Sequence, residues 1–187
     1  MKKFLNPFEY IAGWQALAVG VAAMLVKSAA ACLTGQSFDG VMHITYADVT
    51  FWQTLAQQLV CWLIFATLLY AAARIFSHSR VRALDIYGTN LFARIPILPM
   101  LLTVFLIGRD LTAALMSSDV IEVAAANSGR LLIVGVIDIV LVAWYYVWSY
   151  KAFSVSSNLK GGRAVAIFVV CCLIAIVAAA PLLKLIG

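Results

Sequence analysis

Apolar residues run along this chain in five long stretches separated by short polar connections, with no long polar segment between or beyond them. The stretches cover approximately residues 13–33, 51–75, 86–107, 131–153 and 164–186. Each is close to the roughly 20 residues an α-helix needs to cross the hydrocarbon layer of a bilayer. The pattern predicts an all-α integral membrane protein, one domain over 1–187 built as a five-transmembrane-helix bundle. Composition agrees: 65% of residues are hydrophobic and 11% charged, where a soluble domain carries about 25% charge.

Charge adds an orientation. Lys2 and Lys3, then Arg74, Arg80 and Arg82, then Lys151, Lys160 and Arg163 fall on one side of a five-span chain. The other side has only Arg109, Arg130 and Lys184, with the acids Asp39, Asp48, Asp110, Asp119 and Glu122. Basic residues in short loops stay inside, so the N-terminus is expected in the cytoplasm and the C-terminus outside. The net charge of +5 is spent on this bias, and nucleic acid is not an expected partner. Aromatic residues mark the two interfaces: Phe8, Tyr10 and Trp14 with Tyr145, Tyr146, Trp148 and Tyr150 on one, Trp52 on the other.

The first stretch has the look of a signal peptide, with Lys2 and Lys3 ahead of an apolar run ending "KSAAACLTG". Lys27 interrupts that run, the run is too long, and Ala29 stands where a lipoprotein signal carries Leu, so a retained helix is expected. Cys32, Cys61, Cys171 and Cys172 all lie in apolar runs without ligand spacing and read as buried free thiols, not metal ligands. Of the outer connections, "TGQSFDGVMHITYADVT" predicts a hairpin turning at Asp39–Gly40. "DLTAALMSSDVIEVAAANSG" predicts a short helix opened by Asp119 and Glu122 and stopped over 127–129.

Polar residues inside the spans are the candidate site. Lys27, Gln57, Gln58 and Asp138 each fall about 10 Å from the outer end of their spans at 1.5 Å per residue. A lone charge at that depth costs about 2.5–3.5 kcal/mol on insertion scales. Lys27 and Asp138 are therefore expected to pair with a glutamine amide between them, as a structural lock, a proton or ion relay, or a ligand contact. Arg94 precedes Pro96 and Pro99 in the third span, which predicts a kinked or broken helix whose freed carbonyls at 92 and 95 could take donors from the guanidinium. Ala12, Ala16 and Gly20, and Ala175 and Ala179, form small-residue ridges suited to close helix approach.

Three stretches carry a family resemblance: "NPFEY" at 6–10, "YGTNLFARIPILP" in the third span, and "WSYKAFSVSSNLKGGRAVAIF" between the fourth and fifth. With five spans, the chain resembles the Yip-domain proteins, named for their interaction with Ypt/Rab GTPases. The long N-terminal region of eukaryotic members is missing, so the resemblance implies a bacterial-type member of the inner membrane without a Rab role, and supplies no catalytic residues.

No nucleophile elbow, zinc-protease helix, phosphate-binding loop or phosphatidyl-transferase motif occurs in the chain. The leading expectation is a non-enzymatic protein, without cofactor or metal, that organises lipids or partner proteins, as a homo-oligomer or with other membrane proteins. The alternative is a small transporter or channel using Lys27, Asp138 and Arg94. A lipid-modifying role would use Arg74, Arg80, Arg82, Lys160 and Arg163 on phosphates, although positive-inside bias already accounts for them.

Overall fold

The computed structural model describes residues 6–38, 40, 44–108, 111, 114 and 120–186. The Asp39 turn, the Asp119 cap, Lys2, Lys3, Arg109 and Asp110 lie outside the described residues. The helices are α1 (Gly13–Thr34), α2 (Phe51–Phe76), α3 (Ala83–Phe92), α4 (Ile97–Leu102), α5 (Val104–Ile107), α6 (Val120–Ala126), α7 (Ser128–Ser157) and α8 (Gly161–Leu183). Five helical units are long and apolar enough to cross a membrane: α1, α2, the α3–α5 run over Ala83–Ile107, α7 and α8. The side carrying the 77–82 and 158–160 connections is called the basic side below. The opposite side carries a short antiparallel ladder, β1 (Gln36–Ser37) with β2 (Thr45–Tyr46).

Local chemistry sets the ends. Thr50 and Gln53 form a reciprocal capping box at the start of α2, a signal unread in the sequence. Gly35 and Asn158 adopt left-handed conformations that close α1 and α7. On the basic side the Ser77 hydroxyl donates to the Ser157 carbonyl at 2.6 Å and the Asn158 amide donates to Ser79 Oγ at 3.1 Å, pinning the two basic connections together.

The third span is interrupted over 93–96. Pro96 and Pro99 have no N–H to give the carbonyls of Phe92 and Ile95. Those carbonyls instead accept from Ile95 N (3.1 Å) and Leu98 N (2.9 Å), one residue tighter than an α-helix. Backbone amides thus already supply a donor to each freed carbonyl, and Arg94 is buried.

This broken span is the most buried of the five, with 61% of its apolar window inside the protein against 17% for α7. It packs against α1 on one flank and α7 on the other, and so comes between them. Glycine makes the α1 contact close. A Cβ on Gly20 would stand 2.8 Å from Leu91 Cγ and 2.9 Å from Phe92 N, and one on Gly88 would stand 2.7 Å from the Gly13 carbonyl oxygen. The largest apolar cluster joins α2, α7 and α8 around Phe65, Leu69, Phe153 and Phe168. Tyr145 and Trp148 belong to buried clusters, so part of the expected aromatic belt of the fourth span is core. Cys32 is exposed, not buried like the other three thiols.

Because a backbone atom blocks the Gly88 site, Gly88→Ala is expected to lower stability by about 1–3 kcal/mol. Gly129→Ala, where a Cβ meets open space, is expected to be neutral or slightly stabilising. Melting of the two variants in detergent measures the contrast; equal melting points would refute the tight α1–α3 contact.

Candidate functional site

Lys27 and Arg94 are both about 1% exposed. Lys27 lies seven residues, about 10 Å, from the end of α1. The charged group whose field reaches it is Arg94, a like charge. Arg94 in turn acts on Tyr145 of α7, whose hydroxyl faces Ser149 one turn along without closing a hydrogen bond. Asn90 stands one helical turn before Arg94 on α3, buried, with neither amide atom hydrogen-bonded. Three spans thus bring two cations and four unsatisfied neutral polar atoms into the interior, each of these residues at most about 1% exposed.

On the Lys27 side, Gln58 donates to Ser28 Oγ at 2.7 Å and reaches the Met24 carbonyl at 3.4 Å, leaving its own Oε1 unsatisfied. Gln57 turns the other way. Its Oε1 accepts from Phe38 N and from Ser37 Oγ, both at 3.1 Å, and so anchors the residues at β1.

Apolar residues close both ends of this cluster. On the basic side Phe8, carried by the 3-10 turn Pro7–Glu9, packs edge-on against Phe92 and Trp148, which stack on each other with centroids 5.7 Å apart. On the opposite side Phe38, Ile97 and Leu101 pack with Ala31 and Tyr145. Apolar packing thus flanks the polar centre on both sides.

Asp138 is not part of it. The expected Lys27–Asp138 pair does not form: Asp138 is half-buried and faces Thr103, between α4 and α5, and Tyr46 of β2. The physical reason is neighbour order. Lys27 lies seven residues from the end of α1 and Asp138 ten from the start of α7, and the third span stands between α1 and α7 and separates one charge from the other. No glutamine bridges them either.

Of the residues singled out in the sequence, Lys27, Gln58 and Arg94 meet here, Gln57 holds the ladder, and Asp138 stands apart. Pro96 and Pro99 shape the turn that delivers Arg94. Arg74, Arg80, Lys160 and Arg163 are exposed on the basic side, as is Arg82. Asn90, Tyr145, Ser149, Phe8 and Phe38 were missed. The four-residue spacings Asn90–Arg94 and Tyr145–Ser149 each place two polar groups on one helix face, and were the available signal. Compared with known proteins, the chain matches no family model, no curated protein and no solved structure.

Two measurements test this geometry. Losing one partner of a buried ion pair costs about 3–5 kcal/mol, whereas replacing a buried charge without its counter-ion by an apolar chain is neutral or favourable. Lys27→Met is therefore expected to leave the melting point of the ligand-free protein unchanged or raise it; a large loss would restore an ion-pair role. The second concerns Tyr46, whose phenol is pushed up from its ordinary range by burial, with the Asp138 charge adding to the shift. The neutral phenol belongs to the folded state. Its stabilising contribution is complete below the unfolded pKa of about 10 and fades as pH rises through the raised folded value. Tyrosinate absorbance of wild type minus Tyr46→Phe is expected to show late titration, and Asp138→Asn to bring it part of the way back.

Proposed function

We propose that this is a small non-enzymatic membrane transporter that holds an anionic solute at the Lys27–Arg94 cluster. One observation carries the reading. Lys27 is buried within the field of a like charge, Arg94, and the neutral side chains of Asn90, Tyr145 and Ser149 in the same interior leave polar atoms without a hydrogen bond. Charged residues inside membrane spans face the bundle interior and mark substrate or ion pathways. Each buried polar atom left without a hydrogen bond costs about 1–3 kcal/mol, and an anionic solute hydrogen-bonding to Asn90, Tyr145 and Ser149 beside the Lys27 charge would return that cost. The broken third span fits the same use, since non-helical backbone at membrane depth is tolerated where it lines a binding cavity. With the basic side inward under the positive-inside rule, the Phe8–Phe92–Trp148 plug is the cytoplasmic gate in an inner membrane of bacterial type. The Phe38 group is then the outer gate.

Transport by an anion-filled cluster predicts a ligand effect. A panel of phosphate, sulfate, acetate and citrate is screened by thermal melting, followed by uptake of the stabilising anion into proteoliposomes. At about 100 times its Kd a ligand stabilises by about 2.7 kcal/mol. That gain and the uptake are expected to vanish in Lys27→Met and Arg94→Met and to survive in Asp138→Asn. No stabilisation and no uptake for any anion would overturn the proposal.

A second reading draws on α7, 17% buried in its apolar window, and α8, 28% buried. Such open apolar flanks suit the organising role suggested by the Yip-domain likeness, with lipid, a second copy or another membrane protein covering them.

A further inference from the structure

Away from the polar cluster, a groove of about 350 Å³ runs between α2 and α8. Leu68, Ala72 and Phe76 form one wall and Ile167, Val170 and Ile174 the other. It is apolar along its length. From Ile174 to Arg163 the α8 wall spans eleven residues, about 16 Å, which is a large part of one leaflet. At its basic-side mouth the Arg163 guanidinium sits over the Phe76 ring, 5.6 Å from the centroid. That contact places a cation where the apolar wall ends. The α8 N-terminus begins two residues earlier, at Gly161. Its cap, Lys160, makes no side-chain capping bond.

From this we infer that the α2–α8 groove is a specific site for an acidic glycerophospholipid of the basic-side leaflet. One acyl chain lies between Leu68 and Ile174, and the phosphate sits at Arg163. The occupant follows from the order of the chemistry along the groove. The stretch at hydrocarbon depth is apolar, and the Arg163 guanidinium lies where that stretch ends, at headgroup depth. A neutral apolar ligand would leave the guanidinium unused, and a soluble anion would leave the groove empty. A zwitterionic lipid would bring its own cation against Arg163.

The test is native mass spectrometry of the full chain, delipidated and then equilibrated with equimolar phosphatidylglycerol and phosphatidylcholine. Wild type is expected to retain phosphatidylglycerol in preference. Arg163→Gln is expected to lower that retention roughly fivefold, the equivalent of about 1 kcal/mol for one basic residue near a membrane surface. Val170→Phe, which fills the groove without touching charge, is expected to lower retention of both lipids. Arg80→Gln is the control for general surface charge, since Arg80 belongs to a different basic-side depression, with Arg74 and Ser79. Three outcomes would overturn the inference: equal retention of the two lipids, no effect of either groove variant, or a loss in Arg80→Gln matching that in Arg163→Gln. Melting points of the variants separate a lost site from a lost fold.

Discussion

A proline in a bilayer leaves a carbonyl without its donor, in a layer that holds no water to replace it. The third span meets this twice within four residues, at Pro96 and Pro99. The chain answers by tightening the backbone over 93–98 into three-residue hydrogen bonds. Much else in the structure follows from that repair. The tightened turn changes the direction in which residue 94 projects, so an arginine that could have reached for headgroups is delivered to the interior instead. The irregular backbone also has to be covered by protein, which explains why this span is wedged between α1 and α7 and is the most enclosed of the five.

The first-order fold was legible because bilayers impose length and polarity on every crossing. The predicted 51–75 and the observed Phe51–Phe76 differ by one residue, and the fifth span by three at each end. Depth along a helix was legible for the same reason, since rise per residue is constant. What was not legible was which helices touch. Lys27 and Asp138 lie seven and ten residues from their helix ends, and pairing also needs adjacency, which here depends on Gly20 and Gly88 admitting the third span against α1. Sequence periodicity says nothing of that kind when lipid and protein neighbours are equally apolar. The aromatics of the fourth span failed similarly. Tyr145 and Trp148 have the composition of an interfacial belt, but composition does not distinguish a ring facing headgroups from one facing Phe8 or Arg94.

Energetically the polar cluster opposes the fold that contains it. Apolar side chains of equal volume at 27, 90 and 94 would pack without desolvating any charge. Asp138 has a different environment, shared with a tyrosine from the ladder and a threonine at the α4–α5 break.

The close glycine contacts have a mechanical corollary. Backbones that touch without intervening side chains cannot slide, so α1 and α3 behave as one frame. The helix across from them, α7, packs on the third span without such a backbone contact and leaves most of its apolar surface to the surroundings, so the rigid seam of the bundle lies on the α1 side.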